Sequence, residues 1–134
     1  MVLLDAGPLV ALATPEDQYH RSCLEALNDL PLPFVTTWPV LTEAAWSLSQ
    51  SPKFIQSLIR SCSRGDLHIG ELSAKSLSWI ADFMARYANV PADLADASLM
   101  YIAEERKIET IFTVDRRDFG IYRTKGNRAL KIIP

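Results

Sequence analysis

A chain of 134 residues has room for one hydrophobic core of ordinary size but not for two, so a single domain over 1–134 is expected. Its 49% hydrophobic and 22% charged residues exclude a disordered chain, and no apolar run approaches the ~20 residues that a membrane helix needs. The net charge of −2, from 14 basic and 16 acidic residues, argues against bulk adhesion to nucleic acid or anionic lipid, so any nucleic-acid site must be local.

The opening apolar run meets Asp5 too early to form a signal peptide, so a cytoplasmic location is expected. Val2 to Leu4 reads as a strand, and Pro8 suits the first turn of a short helix through Ala13. Gln18 to Leu30 carries Cys23, Leu24, Ala26, Leu27 and Leu30 at helical intervals, and Pro31 and Pro33 break the pattern before a second strand near Phe34 to Thr37. Pro39 opens a helix over Val40 to Leu48 that carries Glu43, and another helix runs from Lys53 to Ser63 and ends at Gly65. Leu67 to Ile69 is a candidate third strand. Helices over Ser73 to Tyr87 and Ala92 to Lys107 follow, then a β-rich Thr110 to Val114 and a last short strand within Ala129 to Ile133. Strands alternating with helices predict a three-layer α/β/α sandwich around a mainly parallel sheet of about five strands. Cys23 and Cys62 lack metal-ligand spacing and are expected as free thiols, and His20 and His68 as structural residues.

Chemistry is indicated by acids that interrupt apolar surroundings. Asp5 and Asp115 each follow an apolar strand, and in a parallel sheet the carboxyl ends of strands open onto the ligand crevice; each could equally cap the helix that follows. Asp96 lies in Leu94-Ala95-Asp96-Ala97-Ser98-Leu99, apolar on nearly every side, and Glu43 is flanked by Leu41, Ala44, Ala45 and Trp46. Burying such carboxylates is costly unless a cation or hydrogen-bond donors compensate them. One alternative is a buried ion pair, for example to Arg116. An all-oxygen set without nearby His or Cys suits Mg²⁺ or Mn²⁺, which retain waters and are held by a few carboxylates.

Taken in order, Val2-Leu3-Leu4-Asp5-Ala6-Gly7-Pro8-Leu9, Leu41-Thr42-Glu43, Pro91-Ala92-Asp93-Leu94-Ala95-Asp96-Ala97-Ser98 and Thr113-Val114-Asp115-Arg116-Arg117-Asp118-Phe119 resemble a PIN domain, specifically the VapC-like toxin ribonucleases. The resemblance implies a Mg²⁺- or Mn²⁺-dependent endoribonuclease with Asp5, Glu43, Asp96 and Asp115 as the catalytic, metal-holding set. Asp93 and Asp118 are secondary, assisting or merely capping. It further implies an RNA substrate, a homodimer and an antitoxin partner that blocks the pocket, with apolar helices near the amino terminus and around Trp46 and Phe54 as candidate interfaces. The segment from Arg116 to Lys131 is basic, and Arg116 and Arg117 are its candidate substrate contacts; Phe119 and Tyr122 are expected in the core. The competing function is a PIN-like protein- or RNA-binding module with little turnover.

Overall fold

The computed structural model describes residues 1–134. Five strands, β1 (Val2–Leu4), β2 (Phe34–Thr36), β3 (Leu67–Ile69), β4 (Thr110–Phe112) and β5 (Lys131–Ile133), form one sheet in the order β3-β2-β1-β4-β5. Every pairing is parallel. Between them run α1 (Ala6–Ala13), α2 (His20–Asp29), α3 (Trp38–Ser47), α4 (Pro52–Arg64), α5 (Ser76–Arg86), α6 (Leu94–Arg106) and α7 (Arg116–Ile121). The architecture is the predicted three-layer α/β/α sandwich.

The strands are short; β1 and β2 are buried throughout and β4 nearly so, as parallel strands covered by helices must be, while the edge strands β3 and β5 are partly exposed. Alternation along each strand sends Leu4, Phe34, Leu67 and Phe112 toward Leu9, Leu12, Leu24, Leu27, Phe54 and Leu58 of α1, α2 and α4. On the other face, Ile102 of α6 lies against Gly70, where an added Cβ would sit 2.7 Å from its Cδ1. One continuous cluster of 30 buried residues forms the core, and each fully buried Leu, Ile, Val or Phe within it contributes about 1.5–3 kcal/mol. His20 ties α2 to α1 through its Nδ1 and the Ala11 carbonyl, 2.8 Å apart, and both cysteines are free.

Two glycines carry backbone requirements. Gly65 ends α4 in the left-handed region at φ 86°, where a side chain is disfavoured. Gly7 allows α1 to pass Val114: a Cβ there would meet Val114 Cγ2 at 2.5 Å. That close approach brings the segment after β4 against the first turn of α1.

Several element bounds differ from expectation, for local reasons. Pro52 is the first residue of α4 and not part of the break before it, because a proline at the first helical position loses no hydrogen bond. β4 stops at Phe112, so Thr113 and Val114 lie beyond the strand. The helix α7 is a departure from the predicted elements: at six residues, with arginines, an aspartate and a glycine in it, it shows no hydrophobic period to read.

Candidate active site

The strand order reverses between β1 and β4, and a parallel sheet opens a crevice at such a switch point, beyond the carboxyl ends of its strands. Asp5 follows β1 directly, and its backbone N–H donates to the Phe112 carbonyl at 3.1 Å, which locks it beside the end of β4. The sequence left capping and site roles open for Asp5, and the structure shows both placements at once. Its Oδ1 accepts the Ala6 N–H of α1 at 2.8 Å, and its Oδ2 accepts the Thr113 hydroxyl at 2.7 Å. Thr113 in turn accepts the Asp115 N–H at 3.0 Å, so one hydroxyl spaces two acids.

Asp115 caps α7, accepting the Asp118 N–H at 3.0 Å. Asp93 caps α6 in the same way, accepting the Asp96 N–H at 2.8 Å. Each capped turn therefore delivers an acid three residues on to the crevice. Carboxylate oxygens of Asp96, Asp115 and Asp118 all lie within 4.8 Å of one another. Asp118, ranked secondary from sequence, thus stands inside the tightest acidic cluster. Asp5 lies beside that cluster, its charge felt by Asp96.

Glu43 requires a correction. Its apolar sequence neighbours implied burial, yet the residue is exposed on α3: Val40, Leu41 and Ala44 take the inward face, and the helical period turns Glu43 outward with Trp46. It shares a surface groove with Asp93, Trp38 and Trp46, and partial desolvation together with the charges of Asp93 and Asp5 raises its proton affinity. Glu43 is placed at the rim. The N-terminus of α3 is itself pinned to α6, because the Thr37 and Ser98 hydroxyls meet at 2.6 Å in the interior.

The electrostatics are those of uncompensated acids. The chain's ion pairs are Arg21 with Glu25, Arg64 with Asp66 and Lys75 with Glu105, none of them in the crevice. The expected alternative of an ion pair to Arg116 is not formed: its guanidinium donates instead to the Pro134 carbonyl at 3.0 and 2.6 Å. Arg117 is exposed, and its charge acts on Asp118. Asp5 is 8% and Asp96 9% exposed. Burial, more than the neighbouring acids, raises the proton affinity of Asp5 and pushes the pKa of Asp96 up to about 8. Asp118 is raised as well, by desolvation first and Asp115 second.

Asp96 has one compensating donor: the Tyr122 hydroxyl donates to its Oδ2 at 2.7 Å. Tyr122, expected only as core, is fully buried and packed edge-on against Phe83, Tyr87 and Phe119, so its phenol reaches the site from the core side. Thr113 was visible in the Thr113-Val114-Asp115 motif, but nothing in that spacing assigns its hydroxyl to Asp5. Tyr122→Phe keeps the ring and removes the donor, so stability in urea should fall by about 1–3 kcal/mol. The loss should be larger at pH 9 than at pH 6, because the ionised Asp96 depends on the donor more; an equal loss at both would contradict the bond.

The donor set fits a hard divalent cation. Three carboxylates converge, all donors are oxygen, no cationic side chain forms an ion pair with them, and the chain's histidines and cysteines lie elsewhere.

The fold defines a class first: an all-parallel five-stranded α/β/α domain with an acidic crevice at its switch point. Relatives then narrow the comparison. No protein-family model matches the chain. It is 22% identical over 135 residues to Ribonuclease VapC26 of Mycobacterium tuberculosis, covering 99% of this chain and 100% of that protein. The crystal structure of Mycobacterium tuberculosis VapC20, described as a Sarcin-Ricin loop cleaving toxin, shares the fold with a TM-score of 0.74 at 14% identity, covering 87% of this chain and 92% of that one.

Proposed function

We propose that the chain is a metal-dependent endoribonuclease, a VapC-like toxin of the PIN type, in which Asp96, Asp115 and Asp118 with Asp5 hold Mg²⁺ or Mn²⁺. The observation that carries this reading is the convergence of three carboxylates within 4.8 Å, none of them in an ion pair. Full-length similarity to a named ribonuclease supports it. Held by Asp96, Asp115 and Asp118 with Asp5, a divalent ion would supply polarisation of the phosphodiester and activation of water for its hydrolysis. The protein's own part is placement. Thr113 holds Asp5 and spaces it from Asp115, Tyr122 fixes one oxygen of Asp96 and leaves the other free, and the caps of α6 and α7 aim Asp96 and Asp118. Glu43, at the rim, is positioned to orient substrate or hydration water.

A toxin role implies an antitoxin and a second copy of the chain. Two exposed apolar surfaces support such partners. One is the groove of about 450 Å³ between α1, α2 and α4, and the other is the surface shared by α3 and the start of α6, with Trp38 57%, Trp46 84% and Leu94 52% exposed. The continuous core supports one domain over 1–134, and no helix is long and apolar enough to cross a membrane.

Purified protein should cleave single-stranded or loop RNA in Mn²⁺ or Mg²⁺ and stop in EDTA, with activity restored by added metal. Cleavage that continues unchanged in EDTA would remove the metal from the account.

A further inference from the structure

The acidic crevice repels the substrate proposed for it, and the chain's net charge of −2 gives no general attraction in return. Local cations must then hold the RNA strand. The basic segment noted in the sequence places two of its members, Arg123 and Lys125, in a cleft of about 160 Å³ together with Arg86, Trp79 and Phe83 and the single acid Asp82.

We propose that this cleft is a subsite for the sugar-phosphate backbone of an unpaired RNA strand flanking the scissile bond, an inference that rests on the nuclease reading above. None of its three cations takes part in an ion pair of the structure, so their charge is left for an outside anion. Two of them are held in place by other means. Arg123 donates to the Gly120 and Tyr122 carbonyls at 2.7 and 2.8 Å, which orients its remaining N–H groups, and Arg86 lies over the Tyr87 ring at 5.1 Å. The Lys125 side chain is exposed. The floor is aromatic: Trp79, half-buried, stacks on Phe83 at 5.3 Å and 11°. Cations beside a flat aromatic surface are the chemistry that takes phosphate and base together.

The cleft is tied to the acids through one side chain. Phe83 packs against Tyr122 with ring centroids 5.2 Å apart, and the Tyr122 hydroxyl is on Asp96. One buried phenol therefore lies between the cleft floor and the acid cluster.

Arg86→Ala with Lys125→Ala tests this, because neither side chain makes a hydrogen bond within the protein and neither belongs to the acid cluster. Binding of a labelled single-stranded 12-nucleotide RNA to the full chain in EDTA, followed by fluorescence anisotropy, should weaken about tenfold. The slope of log affinity against log salt should become shallower by about 1.4, on the order of 0.7 for each lost phosphate contact. In Mn²⁺ the double variant should raise KM for RNA and leave kcat within about twofold. An unchanged affinity and slope would overturn the subsite, as would a fall in kcat with KM unchanged. RNA binding that depends on these cations in a wild type that cleaves nothing would keep the subsite and reject the nuclease; Asp96-dependent cleavage with cation-independent binding would do the reverse. If only an acidic peptide, and no RNA, binds through these cations, the cleft is a protein contact and the proposal fails.

Discussion

Asp96→Asn is expected to lower kcat/KM for RNA cleavage by roughly 10²–10³-fold and, at pH 8.5, to raise the melting temperature of the metal-free protein by a few degrees. Asn has the shape of Asp and still accepts the Tyr122 hydroxyl, so the hydrogen bond at 2.7 Å survives the change. What it loses is a negative charge buried beside Asp115 and Asp118. In the metal-free protein that charge is a liability, made so by burial and by Asp93, Asp5 and Asp115; in the proposed reaction it is what would hold the cation. Activity and stability should therefore move in opposite directions, as at a site that stores repulsion for use. The pair of readouts, kinetics and melting, separates this from damage: a variant that loses activity and melts lower has misfolded. Asp118→Asn should lower activity likewise, because Asp118 stands in the same 4.8 Å cluster, with a smaller effect on melting because its side chain is less buried than that of Asp96.

The second large effect concerns pH and metal. In the folded chain Asp96 keeps its proton up to a pKa of about 8, whereas its ordinary value is 3.8; Asp5 and Glu43 are shifted in the same direction. Between about pH 4 and 8 the folded protein thus binds more protons than the unfolded one, and the stability of the metal-free protein falls as pH rises through that window. The part due to Asp96 is on the order of 5–6 kcal/mol across the window. Bound Mn²⁺ replaces the protons, so its affinity should rise about tenfold per pH unit below 8, and saturating Mn²⁺ should flatten the profile. Melts at pH 5 to 8 in EDTA and in millimolar Mn²⁺ measure both effects. Stability that rises with pH in EDTA would mean that the acids are compensated by groups other than a metal.

Sequence pattern and structure agree where burial dictates both. The apolar runs at Val2–Leu4, Phe34–Thr36 and Thr110–Phe112 can only be covered strands, and their alternation with helical periods leaves parallel pairing as the one economical solution. Asp96 was legible for the same reason: an acid in α6, where Ala95 and the whole run from Ala97 to Ala103 are buried, must have a purpose. Glu43 looked similar and is not, since flanking residues on a helix point to different faces and only the period decides which side a residue takes. Asp118 was undervalued because α7 is a single capped turn without a hydrophobic period, and its place depends on Asp115 acting as a cap. Tyr122 and Thr113 were hidden for a further reason. Their roles are hydrogen bonds across 26 and 108 residues of chain, distances over which local spacing carries no information.

Anomalous diffraction from crystals of the full chain soaked in Mn²⁺ addresses the central claim most directly. A peak within coordination distance of the carboxylates of Asp96, Asp115 and Asp118 is the result this account predicts. Saturating Mn²⁺ with no peak among those three acids, or with peaks only at other acids on the surface, would contradict it.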